Sequence, residues 1–137
     1  MQSERKPRIL LAKAGLDAHV RGISILMKRL RDAGMEIIYS GPYQTPESIV
    51  AAAVQEDVDF IFLSSHLSGH IALSEQIMKL LKDNGAGHIR LAVGGMIPSK
   101  DFPALKAIGV TRAFLPLTLP SVVIDFINRE MASNVGS

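Results

Sequence analysis

The residues best equipped for chemistry stand together in Lys13-Ala14-Gly15-Leu16-Asp17-Ala18-His19-Val20-Arg21-Gly22. A neutral imidazole such as that of His19 is a good ligand for a borderline transition metal. A ligating histidine usually gives its other ring N–H to a carboxylate, which fixes the tautomer and makes the ring more basic. Asp17, two positions earlier, can accept that N–H if the segment is extended, because side chains i and i+2 then share a side. Lys13 can balance the carboxylate, and Gly22 lets a bulky ligand approach the backbone. On this pattern alone, a loop histidine with a helix-capping aspartate is the plainer reading, since short motifs match by chance.

Two further groups change that balance. Leu63-Ser64-Ser65-His66 ends one apolar run and Val93-Gly94-Gly95 ends another. A serine hydroxyl at a strand end can hydrogen-bond a ring nitrogen of a buried nucleotide base. Two successive glycines remove side chains where a ligand lies against the backbone. Separately, Ser64 and Ser65 are explained as a cap on the following helix, and Gly94-Gly95 as a sharp turn. Three such groups, each at the end of an apolar run, are not well explained as three coincidences.

The elements that must position these groups can be read from the apolar pattern. Five apolar runs, 8–13, 36–40, 59–64, 89–93 and 112–115, alternate with five helical patterns. Several runs are near-continuous in Val, Ile, Leu and Phe, as strands buried on both faces are. Gly34 ends the first helix. Thr45-Pro46 is an N-cap followed by proline at the first helical position. The third helix spans about 70–83 and stops at Asn84-Gly85. A fourth follows Pro103 and stops at Gly109. The last starts at Thr118, with Val122, Val123, Phe126 and Ile127 on its apolar side, and 134–137 is read as a frayed tail. The pattern predicts an α/β fold, a single flavodoxin-like (Rossmann-like) (βα)5 domain over 1–137 with an ordered core of about 8–131. Its five-stranded parallel sheet has order 2-1-3-4-5. The three chemical groups then share the carboxyl end of the sheet, where such folds bind ligands.

Composition narrows the function. Lys+Arg 15 against Asp+Glu 13 gives a net charge of +2, too balanced for a nucleic-acid surface. Aromatic residues at 5% leave little stacking surface for bases. There is no cysteine, so neither a disulfide framework nor a thiolate metal site is possible. The start is polar, without a signal-peptide apolar region, and no apolar run approaches a membrane span. We therefore expect a cytoplasmic protein with no nucleic-acid or membrane partner. The first strand begins almost at once, so no second domain is expected before it.

Asp17-x-His19-x-x-Gly22 resembles the D-x-H-x-x-G signature of cobalamin-binding domains, and Ser64-x-His66 and Gly94-Gly95 stand where that family places S-x-L and G-G. Thr45-Pro46-Glu47, Gly69-His70 and Gly94-Gly95-Met96-Ile97-Pro98 followed by Asp101-Phe102 are similar to the small subunit or C-terminal domain of acyl-CoA mutases, of the methylmalonyl-CoA and 2-hydroxyisobutyryl-CoA type. The similarity runs from about Arg8 to Arg129.

The resemblance implies adenosylcobalamin held with its dimethylbenzimidazole tail detached from cobalt and buried in the domain. It implies His19 as the lower axial cobalt ligand, with Asp17 and Lys13 behind it as the only catalytic machinery on this chain. Val20, Arg21 and Gly22 would border the cofactor, and Ser64 and His66 would meet the tail. Gly94, Gly95, Leu115, Pro116 and Thr118 would shape the tail channel. It further implies a separate large TIM-barrel subunit that binds the acyl-CoA, in a heterotetramer, with the small chain inactive alone. The sequence departs from the family pattern at Ala18 and Val20 in the first motif, at His66, and at Leu115-Pro116-Leu117-Thr118, which lacks the two glycines of the usual G-P-G-T. Of the remaining histidines, His70 is expected to cap or pack and His88 to face solvent.

Other readings are weaker. A glutamate-mutase-type small subunit shares the three motifs but not the Thr45-Pro46 and Met96-Ile97-Pro98 segments. A corrinoid-carrying methyltransferase module would carry a helical domain first. A receiver needs an aspartate where Leu63-Ser64-Ser65 stands, and a flavodoxin a Ser/Thr-rich phosphate loop where 13–22 stands.

Overall fold

A computed structural model describes residues 6–13, 20–40, 45–65, 69–95, 97–115 and 118–135, without the side chains of 20–23, 65 and 133–135. In chain order the elements are β1 (Arg8–Lys13), α1 (Val20–Asp32), β2 (Glu36–Tyr39), α2 (Pro46–Gln55), β3 (Phe60–Ser65), α3 (His70–Asp83), β4 (Arg90–Gly95), α4 (Phe102–Ile108), β5 (Arg112–Ala113) and α5 (Pro120–Val135). The strands form one parallel sheet in the order β2-β1-β3-β4-β5. Parallel strands need a crossover on a face of the sheet, and helices supply it.

Two apolar layers follow from the alternation of side chains along each strand. Leu10, Ala12, Ile61, Leu63, Leu91 and Val93 face one way and pack with Ile49, Val50 and Ala53 of α2, Ile77 and Leu81 of α3 and Leu105 of α4. Ile9, Leu11, Phe60, Phe62 and Ala92 face the other way and meet Leu30 of α1 and Val123, Phe126 and Ile127 of α5. β1, β3 and β4 are buried on both faces, which is why they read as unbroken apolar runs. Burying each Leu, Ile or Phe is worth about 1.5–3 kcal/mol. The part-exposed ion pairs of Arg8 with Glu36 (2.8 Å) and Glu56 (3.4 Å) contribute about 1 kcal/mol or less each. The layers hold the fold, and the ion pairs trim its amino end.

Local signals set the helix ends. Thr45 and Ser48 form a reciprocal capping box, each side chain accepting from the other's backbone N–H (Ser48 N–H to Thr45 Oγ1 3.1 Å, Thr45 N–H to Ser48 Oγ 2.9 Å), with Pro46 opening the helix. Gly109 ends α4.

Several boundaries differ from expectation, each for a tertiary reason. β3 and β4 run on through Ser65 and Gly95, because Ser64 pairs with Gly94 and Ser65 with Gly95 across the ladder. α3 is capped by Gly69, so Ser64 and Ser65 are strand residues and not its cap. β5 stops at Ala113, two residues short of Leu115: Arg112 and Ala113 are in register with β4, and the last bond to that strand is Phe114 N–H to the Val93 carbonyl at 2.9 Å. α5 begins at Pro120 and not at Thr118, whose hydroxyl instead donates to the Leu115 carbonyl. Val122 lies off the buried stripe of α5 and is exposed. α5 continues to Val135, so Asn134 and Val135 are helical.

Candidate functional site

The register of the three central strands builds the site. Lys13, the last residue of β1, is the ladder neighbour of Ser64 on β3, and Ser64 is the neighbour of Gly94 on β4. The three lie in one row across the carboxyl end of the sheet. Lys13 follows Ile9 and Leu11, Ser64 follows Phe60 and Phe62, and Gly94 follows Ala92 at intervals of two. All three therefore face the α1/α5 layer.

All members of the row are buried. Lys13 is 1% exposed and Ser64 4%. A buried ammonium must be paired, and Lys13 is engaged in an interaction of its own. Gly94 is bare for a steric reason. A Cβ there would stand 3.0 Å from Cζ and 3.2 Å from Cε1 of Phe62. Gly95 closes the strand at φ +105°, a left-handed conformation that only glycine adopts freely. Gly94→Ala is expected to lower stability by about 1–3 kcal/mol, the usual cost of overpacking a well-filled core. A denaturant midpoint unchanged from the parent chain would show that the Phe62 ring can move aside.

The other candidates are placed less closely together. Val20, Arg21 and Gly22 form the first turn of α1. Leu115 is exposed and, with Thr118, lines a groove of about 660 Å³ at the β5 edge beside Leu105, Val110 and Leu119, outside the Lys13–Ser64–Gly94 row. Asp17, His19, His66 and Pro116 lie outside the described residues. His70 packs, as its type and position suggest. It is the first residue of α3, and its Nε2 lies 2.7 Å from Oδ2 of Asp101, ahead of α4. Two of the segments that carry the family resemblance, 69–70 and 101–102, thus meet in space. His88 is exposed. Sequence reasoning missed Phe62, which only the register brings against Gly94.

Residues 7–117 match the B12-binding domain family. The chain belongs to that family. This B12-binding domain is 42% identical to the 2-hydroxyisobutanoyl-CoA mutase small subunit of Aquincola tertiaricarbonis, over 92% of this chain and 93% of that one. It is 45% identical to the pivalyl-CoA mutase small subunit of Xanthobacter autotrophicus, over 90% of this chain and 82% of that one. Among solved structures, a cobalamin-binding protein from Desulfitobacterium hafniense shares the fold with TM-score 0.77 at 18% identity, covering 91% of this chain and 59% of that one.

The described residues of the B12-binding domain suit such a cofactor. That face carries one hydroxyl at Ser64 and an aromatic ring at Phe62, which covers Gly94. Flat heteroaromatic groups are held by that combination of one polar contact and apolar walls. No helix among the described residues is long and apolar enough to cross a membrane.

Proposed function

We propose that this chain is the cobalamin-carrying small subunit of an adenosylcobalamin-dependent acyl-CoA carbon-skeleton mutase of the 2-hydroxyisobutyryl-CoA or methylmalonyl-CoA type. In this reading it is one cytoplasmic domain, inactive alone, and pairs with a large TIM-barrel subunit that binds the acyl-CoA, in a heterotetramer. The observation that carries the proposal is the Lys13–Ser64–Gly94 row, which joins the three motif-bearing strands on one face at the carboxyl end of the sheet. The similarity to two mutase small subunits over nearly the whole chain supports the same assignment.

When bound, cobalamin supplies a cobalt–carbon bond whose homolysis starts a radical rearrangement. The chain's own residues bind and orient it. His19 would offer a ring nitrogen to cobalt in place of the cofactor's own base. Asp17 accepts the other ring N–H and fixes the tautomer. Lys13, at the end of β1, balances the Asp17 carboxylate. Ser64 would donate to or accept from that base, and Gly94 and Gly95 would shape the channel beside it.

The test is a titration of the purified chain with adenosylcobalamin followed by its visible spectrum, which shifts when the base leaves cobalt. Ser64→Ala is expected to weaken binding by about 0.5–1.5 kcal/mol, the net worth of one neutral hydrogen bond, with the fold intact. A spectrum that keeps its free-solution shape at saturating chain would refute the base-displaced mode.

A further inference from the structure

We infer that the open edge of β5 is where the larger subunit docks, by laying an extended segment with apolar side chains and acidic flanks into the groove between α4 and α5. The inference rests on the two-subunit reading above and deepens it by naming the surface that meets the partner. β5 is the outermost strand of the sheet, with β4 on one side and no strand on the other among the described residues. α4 packs on one face of the sheet and α5 on the other, so the space between them runs along that edge. It forms the groove of about 660 Å³, with Leu105 and Val110 on one wall and Leu119 and Val122 on the other. Of the five large apolar side chains exposed among the described residues, Leu115, Leu119 and Val122 gather here, at 52%, 65% and 39% exposure. Scattered apolar side chains are ordinary on a surface, whereas a contiguous patch rimmed by polar groups marks an interaction site. An edge strand between two apolar walls suits an extended segment, which adds a strand to the sheet and sets alternate side chains against the walls.

The rim selects the occupant. Lys106 and Arg112 are the charged side chains that line the groove, and both are exposed. The Arg112 guanidinium lies over the Phe114 and Phe126 rings, 5.1 and 5.7 Å from their centres, which holds its charge in place. Asp125 and Glu130 line an adjoining recess with Arg112 and Arg129, and not the groove itself, and Glu130 is paired with Arg90 at 3.0 Å. A second copy of this chain is disfavoured, because a two-fold contact through the groove would set Lys106 and Arg112 against their own counterparts. The same charges favour a segment of a different chain that carries carboxylates beside its apolar residues. Leu115 also follows β5 at the carboxyl end of the sheet, the end that carries the Lys13–Ser64–Gly94 row. A partner seated along β5 therefore reaches the end of the sheet where the cofactor is proposed to lie.

The experiment titrates the full chain, loaded with cobalamin, against the large subunit of the Aquincola tertiaricarbonis 2-hydroxyisobutanoyl-CoA mutase. The parent chain is compared with Leu119→Ser and Lys106→Glu in the groove, and with Val54→Ser, an exposed apolar residue on α2. Leu119→Ser is expected to weaken the complex about tenfold or more, the effect of leaving a large apolar contact unmade. Lys106→Glu is expected to weaken it roughly three- to tenfold, less so at high salt. Val54→Ser should stay within a factor of about two of the parent chain. Cobalamin uptake by each isolated variant, and its unfolding midpoint, should match the parent chain, because the altered side chains are exposed. In the parent complex, amide exchange should slow over 112–115 and 119–122. A Leu119→Ser or Lys106→Glu complex as tight as the parent's, or exchange that does not slow there, overturns the inference. So does a parent chain that sediments as a dimer which Leu119→Ser dissociates, since a second copy then covers the groove. A parent chain that takes up cobalamin but does not bind the large subunit overturns the docking inference alone, and one that takes up no cobalamin overturns the functional reading beneath it.

Discussion

In the cobalt(II) state, the complex of the chain with cobalamin is expected to show an axial nitrogen splitting in its electron paramagnetic resonance spectrum that changes when histidine carries the heavier nitrogen isotope. His19→Ala is expected to abolish that response. One axial nitrogen couples to the unpaired electron, and its source is either a protein imidazole or the cofactor's own base. Labelling tells the two apart, because only the imidazole comes from the protein. Asp17→Asn should keep the splitting, since the ring is still present. It should weaken binding by roughly ten- to a hundredfold, the usual cost of losing the group that holds a ligating histidine. Only the neutral ring can bind the metal, so binding in this mode should fall as the pH drops and imidazole protonates. A splitting indifferent to the histidine label would mean that the cofactor's base stays on cobalt, and the assignment of His19 would be lost.

The second large effect concerns activity. The pure chain, loaded with adenosylcobalamin, is expected to turn over no acyl-CoA, and a cognate large subunit is expected to raise turnover by at least about a millionfold, the lower range of enzymatic acceleration. The reason is the division of labour implied by the family. In the proposed reading, orientation of the cofactor would belong to the Lys13–Ser64–Gly94 end of this sheet, and acyl-CoA recognition to the partner. Assays with 2-hydroxyisobutyryl-CoA and methylmalonyl-CoA, with and without the partner, decide it. Turnover by the isolated chain would refute the two-subunit reading.

The fold was legible in the sequence because local pattern and tertiary environment agree. Strands buried on both faces must be apolar along their middle, and β1, β3 and β4 are so over 9–12, 60–63 and 91–93. Proline and glycine mark the helix ends at Pro46, Gly34 and Gly109. What escaped is whatever depends on pairing between distant segments. Ser64, Ser65, Gly94 and Gly95 have poor strand propensity, yet the ladder between β3 and β4 carries them into the sheet. β5 is shortened for the converse reason, as the apolar Leu115 lies past the last bond to β4, from Phe114 N–H to the Val93 carbonyl. The candidate residues could be named from their types and spacing, but their row could not, because the register of three strands is a non-local property. Phe62 read as an ordinary apolar strand residue. Its contact with Gly94 depends on ring orientation and register, and neither has a sequence signal.

The bond between His70 and Asp101 has a mechanical consequence. Both side chains are largely shielded, at 8% and 20% exposure, and a hydrogen bond to a carboxylate in such a setting is worth about 1.5–3 kcal/mol. His70 begins α3, and Asp101 immediately precedes α4. The amino ends of these two helices are therefore tethered to one another, and a displacement of either loads the other. That link lies on the face of the sheet opposite the one that Ser64 and Gly94 share, where α3 and α4 pack.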